Sequence, residues 1–249
     1  MDDINGNSCD NIYEPAYVKR LFNRMSGSYE RMNFITSFGF SIRWRNQFIR
    51  RLPTDERPIR VIDLLSGLGE NWALLLDRYP RATFTALDFS EEMHRVSSQK
   101  NEQQFNSRFT VLNQDILASD LSSGEFDVVV CAFGLKTFNG AQLEALAKTT
   151  SRILKPQGQF SFIEISKPPN KLLLWLYRFY LKRMIPLLGN VFLGNPSDYR
   201  MLWEYTDRFA NAKAARAVFE RYGLMVQLDD YFYGCATGIS GRKHAADPA

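Results

Sequence analysis

From Arg60 onward, short apolar runs alternate with segments whose apolar residues recur every three or four positions, and few architectures accept that alternation. The runs "RVIDLL" (60–65), "TFTALD" (83–88), "RFTVLN" (108–113), "FDVVVCAF" (126–133) and "QFSFIEI" (159–165) predict strands. Between them "ENWALLLDRY", "SEEMHRVSSQK" and "AQLEALAKTTSRIL" predict helices. Ser90, followed by two acids, is expected to cap the second of these. Strands that read as continuous apolar runs are buried on both faces, so the pattern predicts an α/β fold, a doubly wound parallel sheet with helices on either side.

Two stretches stand outside the alternation. "EPAYVKRLFNRMSGSYERMN" and "SIRWRNQFIRRL" precede the sheet as helices rich in aromatics and arginines, and some forty apolar and basic residues follow residue 165 before "AKAARAVFERYG", "LMVQLDDYFY" and "CATGISGR" resume it. The second stretch is expected to form a lid. One domain is predicted over 14–243, divided into N-terminal helices (14–55), a core (56–166), the lid insertion (167–209) and a final helix with strands (210–243). Flexible tails are expected at 1–13 and 244–249.

The chain has 249 residues, 45% of them hydrophobic, enough to bury one substantial core. A net charge of +4 without a run of like charges argues against nucleic acid as a partner. Cys9, Cys131 and Cys235 are odd in number and lack metal-ligand spacing, which suits reduced thiols, a cytoplasmic location and no metal site. "MDDINGNSCDN" has no apolar run behind a basic start, so no secretory signal is expected. The apolar stretch 171–194 carries Arg178, Lys182 and Arg183, too much charge for a bilayer span.

In an open parallel sheet, ligands gather at the carboxyl ends of the strands near the switch point, where the first βα turn lies. That turn is "VIDLLSGLGENW" (61–72). Asp63 closes the strand, Gly67 and Gly69 allow close approach of backbone to a ligand, and Asp88 ends the next strand, where a carboxylate can accept from ribose hydroxyls. A dinucleotide fingerprint requires a third glycine where Trp72 stands, and Glu70 sets negative charge where a phosphate would lie. The acids suit a cofactor whose reactive end is cationic, such as S-adenosylmethionine. Asp115 of "NQDI" is placed to accept from the adenine amine, with Ile116 over the ring.

The chain resembles the ubiquinone/menaquinone biosynthesis C-methyltransferase family, a branch of the Rossmann-like class I methyltransferases that use S-adenosylmethionine. The resemblance covers roughly residues 15 to 243. It is carried by "VKRLFNRMSGSYERMN" with "SFGFSIRWR", the glycine loop, "ALDFSEEM", "FDVVVCAFGLKTF", "RILKPQGQFSFIEISKP", and "IPLLG" followed by "SDYRML". It implies a seven-stranded, mostly parallel sheet with an antiparallel last strand. It implies a cofactor held by Gly67, Leu68 and Gly69, by Asp88, by Asp115 and Ile116, and by Ala132. It also implies a polyprenyl quinol precursor, methylated on ring carbon. Two departures touch the acceptor side. The family's F-G-[LI]-R-N after the fourth strand is here Phe133 to Thr137, with Lys136 and Thr137 replacing Arg and Asn, and Y-D-x-M-N is here Tyr29 to Asn33 with Glu30. The first loop carries Leu65 and Ser66 where smaller residues are usual.

Methyl transfer from a sulfonium is an in-line displacement, so the protein mainly positions the acceptor and excludes water. Neither His94, on the helix after the second strand, nor His244, in the tail, is placed as a base. Catalytic candidates are therefore Tyr29, Lys136 and Tyr199, with Asp198 and Arg200 beside the last. Lys136, if desolvated, would accept a proton or steady a phenolate; if it snorkels to solvent it would do neither. The lid apolars, Leu172 to Tyr180 with Phe192, would pack the core or line an acceptor channel. Arg178, Lys182 and Arg183, with Arg43, Arg45, Arg50 and Arg51, would rest on anionic lipid in a peripheral membrane contact. The expected partner is an apolar aromatic small molecule, and a homodimer is compatible with the sequence. Rival readings are an O-, N- or C-methyltransferase that tailors another small molecule in secondary metabolism, and a relative that keeps the cofactor without transferring methyl.

Overall fold

A computed structural model describes residues 11–27, 37–185, 187 and 196–245, with the side chains of 11 and 196–200 outside that description. Helices α1 (Pro15–Met25) and α2 (Phe40–Ile49) precede the sheet. The chain then alternates β1 (Arg60–Leu64), α3 (Trp72–Arg78), β2 (Thr83–Asp88), α4 (Glu91–Phe105), β3 (Phe109–Asn113), β4 (Phe126–Ala132), α5 (Gly140–Ile153) and β5 (Leu154–Ile165). The lid follows as α6 (Lys171–Phe179), a wider turn (Tyr180–Met184) and α7 (Pro196–Phe209), and α8 (Lys213–Arg221), β6 (Leu224–Tyr231) and β7 (Ala236–Lys243) complete the fold.

The seven strands form one sheet in the order β3-β2-β1-β4-β5-β7-β6. The first five run parallel, while β7 pairs antiparallel with both β5 and β6. Alternate residues of β1 serve two cores. Ile62 and Leu64 pack with Leu146 of α5 and Phe219 of α8. Val61 packs with Phe48 of α2 and Leu75 of α3 on the opposite face. The order reverses between β1 and β4, which puts the glycine loop at the switch point.

Ser90 caps α4 as expected, accepting the Met93 amide at 3.2 Å. Its hydroxyl also donates to Asn23 Oδ1 at 2.5 Å, which docks α1 against the end of β2. Strand β5 starts earlier than the sequence suggests. "KPQG", ahead of the expected strand 159–165, is an irregularity within β5: pairing with β4 skips from Leu154 to Gln159, and Gln157 takes φ +63. Residues 11–13, expected in the tail, form a short turn, because Tyr205 Oη donates to Ile12 O at 2.5 Å and the Tyr205 ring meets Tyr13 edge-on. Residues 1–10 and 246–249 lie outside the described residues. Among the described residues no helix is long and apolar enough to cross a membrane.

Candidate functional site

Two adjoining cavities open at the carboxyl edge of the sheet. The first is lined by Ser66, Gly67, Asp88, Asp115, Ile116 and Ala132, among others. These come from the ends of β1, β2, β3 and β4, brought level by parallel pairing such as Asp88 beside Asn113 and Cys131 beside Leu64. Asp63, Leu68 and Gly69 do not reach its wall; they shape the loop from beneath.

The loop is held by both the chain's conformation and its packing. Gly67 and Gly69 take φ +55 and +75, and a Cβ on Gly69 would stand 2.5 Å from the Trp72 ring. Trp72 is fully buried and stacks on Phe109 at 4.3 Å, so the residue that replaces the third glycine is a core anchor. Asp88 Oδ2 accepts the Gly67 amide at 2.9 Å and Oδ1 the Ser90 amide at 2.9 Å. One carboxylate thus ties the loop to α4 and keeps lone pairs for ribose hydroxyls. Burial pushes Asp88 up to about 6, against the lowering effect of those amides. Asp115 lines the cavity with Oδ1 accepting the Leu117 amide at 2.9 Å, and Ile116 is buried beside it.

Beneath the loop sits a cluster of buried polar groups. Asp63 is fully buried, accepts from Asn71 Nδ2 at 3.0 Å, and is pushed up to about 7 by burial. Arg45, from α2, pairs with Glu70 at 3.1 Å and lies over the Phe133 ring at 4.7 Å. It is 6% exposed, which removes it from the lipid-facing set. Arg51 leaves that set in part too, since it pairs with buried Asp229 at 3.3 Å. A cofactor with adenine, ribose and a cationic end fits this chemistry: apolar cover at Ile116, a ribose-facing carboxylate at Asp88, and the acid Glu70 on the wall with buried Asp63 behind it.

The second cavity, about 340 Å³, is apolar and lies between α1, α2, the lid and the turn after β4. Phe22, Phe133 and Thr137 line both cavities and so form the wall between them. Lys136 lines the second and does not snorkel; it is 7% exposed. Its Nζ donates to Glu164 Oε1 at 2.9 Å and to Phe133 O at 2.7 Å, and Glu164 Oε2 accepts the Lys136 amide at 3.1 Å. Glu164 was not singled out in the sequence, although an acid near the end of the apolar run "QFSFIEI" is the signal that finds it. Thr137 spends its hydroxyl on Gly134 O at 2.7 Å. Tyr177 and Tyr205 donate to Cys235 O (3.3 Å) and Ile12 O (2.5 Å), and burial raises both hydroxyls above their ordinary value. They are neutral donors rather than bases.

Tyr29 lies outside the described residues, and Tyr199, Asp198 and Arg200 fall on α7 with their side chains likewise outside. Phe192 is also outside. His94 sits half-buried on α4, away from both cavities, and His244 is exposed.

Solved structures show the same fold. An S-adenosylmethionine-dependent methyltransferase from Aquifex aeolicus superposes with a TM-score of 0.57 at 16% identity, over 79% of this chain and 88% of that one. A phosphoethanolamine N-methyltransferase from Haemonchus contortus, in complex with S-adenosylmethionine, gives 0.59 at 11% identity, over 88% and 60%. Sequence similarity is more specific. The chain is 31% identical to the demethylmenaquinone methyltransferase of Thermus thermophilus over 87% of its length and 96% of that protein. It is 30% identical to the ubiquinone/menaquinone biosynthesis C-methyltransferase of Rickettsia bellii, over 84% and 85%. Residues 11–243 match the model of the ubiE/COQ5 methyltransferase family. With the donor cavity, the sheet and this match in agreement, the chain belongs to the ubiE/COQ5 methyltransferase family and is an S-adenosylmethionine-dependent methyltransferase.

Proposed function

We propose that the enzyme transfers methyl to a ring carbon of an apolar quinol seated in the second cavity. The observation that carries this reading is Lys136, the one charged side chain among the described residues that line the mostly apolar second cavity, which shares the Phe22–Phe133–Thr137 wall with the donor site. Relatives named for demethylmenaquinone and for ubiquinone/menaquinone biosynthesis support the substrate class.

When bound, S-adenosylmethionine supplies an electrophilic methyl on a sulfonium. The chain does the rest by position and charge. An ammonium has three N–H donors, and Lys136 uses two on Glu164 and Phe133 O, which leaves the third for an acceptor oxygen. A cation in a dry cavity favours the ionised form of a quinol hydroxyl, which raises electron density on the neighbouring ring carbon. With the donor bound, that carbon would be the one to accept the methyl, the donor leaving as a neutral thioether, and its hydrogen would leave as a proton. Tyr29 and Tyr199 remain candidates for receiving it. Asp63, Leu68 and Gly69 support the donor site by holding the loop, while Gly67, Asp88, Asp115, Ile116 and Ala132 face the cofactor.

The lid face adds a route of entry. Leu172, Trp175, Leu176 and Phe179 of α6 are all about half or more exposed, and Leu176 also lines the acceptor cavity. Lys171 and Arg178 on α6, Lys182 and Arg183 in the turn after it, and Arg43 on α2 are exposed to solvent. An exposed apolar face with cations on the same and following segments suits peripheral contact with an anionic bilayer, from which an apolar quinol would pass directly into the cavity. Offering labelled methyl from the donor to a prenylated demethylated quinol and to a panel of simple phenols and amines tests the substrate class. Selective labelling of the quinol is expected, and selective labelling of an amine or an unrelated phenol would support the tailoring alternative.

A further inference from the structure

The donor site described above leaves one strong feature unused. Arg45 is 7% exposed in its side chain, and its only ion pair among the described residues is with Glu70 through Nη2 at 3.1 Å. Its Nε and Nη1 atoms are buried and have no hydrogen-bond partner. A buried, unpaired donor on a charged group is costly, on the order of 1–3 kcal/mol or more, so a fold retains one where something else completes it. Ser66 Oγ, Asn71 Oδ1 and Asp63 Oδ2 are orphaned in the same way, and Ser66, Asn71 and Arg45 line the same cavity as Gly67 and Asp88.

The orphans divide by chemistry. Arg45 brings donors on a fixed cation, while Ser66 and Asn71, on the same cavity wall, offer acceptor oxygens. An amino-acid zwitterion has the complementary set, a carboxylate that accepts and an ammonium that donates. The adenosine end of the cofactor is already served by Asp88, Asp115 and Ile116 at the other side of the glycine loop. We propose that Arg45 binds the α-carboxylate of the methionyl end of S-adenosylmethionine, so that helix α2, which lies outside the nucleoside-binding core, is part of the donor site.

The arrangement has a built-in orientation. The Arg45 guanidinium stacks on the Phe133 ring at 4.7 Å, and Glu70 holds its Nη2 edge, so the remaining N–H groups have little freedom. Phe133 in turn belongs to the wall between the two cavities. The carboxylate contact therefore fixes the donor's far end against the residue past which the methyl must travel.

The test compares ligands that differ at that end, with affinity read by calorimetry on the full-length protein. The native enzyme should bind S-adenosylmethionine at least tenfold more tightly than its decarboxylated form. Arg45→Met should lose that preference, with affinity for the decarboxylated ligand and for methylthioadenosine unchanged within threefold, which also reports that the variant is folded. Arg45→Lys should keep part of the preference. Equal affinity of the native enzyme for the carboxylated and decarboxylated forms would overturn the proposal. So would an Arg45→Met variant that weakens all three ligands alike. Failure of the native enzyme to bind any of the three would overturn the donor-site reading itself.

Discussion

Glu164 Oε1 accepts from Lys136 Nζ at 2.9 Å, and both side chains are buried at the end of the apolar cavity. The pair is clamped by the backbone: Glu164 also takes the amides of Lys136 and Ile165, at 3.1 and 2.7 Å, and Lys136 also holds Phe133 O. Phe133 itself sits at φ +64, so the turn that separates donor from acceptor depends on this ion pair for its shape.

Removing one partner of a buried pair strands the other, which typically costs about 3–5 kcal/mol. Lys136→Met and Glu164→Ala are each expected to lower the melting temperature by roughly 6 °C or more, at about 2–4 °C per kcal/mol for a chain of this size. Lys136→Met should also reduce kcat, measured at saturating donor, at least a hundredfold. Thermal scans and turnover assays on the same samples check both parts. Normal turnover in a stable Lys136→Met variant would remove Lys136 from the reaction.

Asp63 and Asp88 are raised by burial to about 7 and about 6, from an ordinary 3.8. The folded protein therefore binds more protons than the unfolded chain between about pH 4 and pH 7. Through these two groups the stability of the ligand-free enzyme falls as pH rises across that window and then levels off. Ligand binding runs the other way. A cationic, ribose-bearing ligand favours the ionised acids, so affinity should rise from pH 5.5 to 7.5 and binding near pH 6.5 should release protons. Calorimetry in buffers of different ionisation enthalpy measures that release. Asp63→Asn should lose the upper part of the pH dependence.

Gly69→Ala places a methyl about 2.5 Å from the Trp72 ring at a φ of +75. Both the backbone strain, about 1–2 kcal/mol, and the displaced indole act against the fold. A fall in melting temperature, a shift in Trp72 fluorescence and at least tenfold weaker donor binding are expected together. Unchanged binding would mean that the loop tolerates another path.

Trp175 and Phe179 stack on the exposed face of α6, 64% and 52% exposed. The double variant Trp175→Ser with Phe179→Ser should bind vesicles containing anionic lipid at least tenfold more weakly, with donor affinity unchanged. Raising salt should weaken the native protein's binding as well, since the cations on α6 and the turn after it are solvent-exposed. Native protein that fails to sediment with such vesicles at low salt would contradict the membrane route.

How far the sequence could be read follows from which contacts are local. The strand and helix alternation is written in short periods, so six of the seven strands lie within about two residues of their expected ends. Asp88 meets the Gly67 amide at a strand end that the alternation had already located. Lys136 and Glu164 meet because β4 and β5 are neighbours in register, Ala132 beside Ile163, and that pairing appears only once the sheet is assembled. Arg45 was grouped with surface arginines by composition, whereas helical phase separates it. Trp44, Arg45, Phe48 and Ile49 share the buried face of α2, and Arg43 and Arg50 do not.

The most direct test of the account is the position of the transferred methyl. Enzyme, ¹³C-methyl-labelled S-adenosylmethionine and a prenylated demethylated quinol should yield a product whose labelled methyl has the carbon chemical shift of a ring C–CH₃, with loss of one ring proton. A labelled O–CH₃ or N–CH₃ resonance in its place, or unlabelled quinol beside intact donor, would contradict carbon methylation of a quinol.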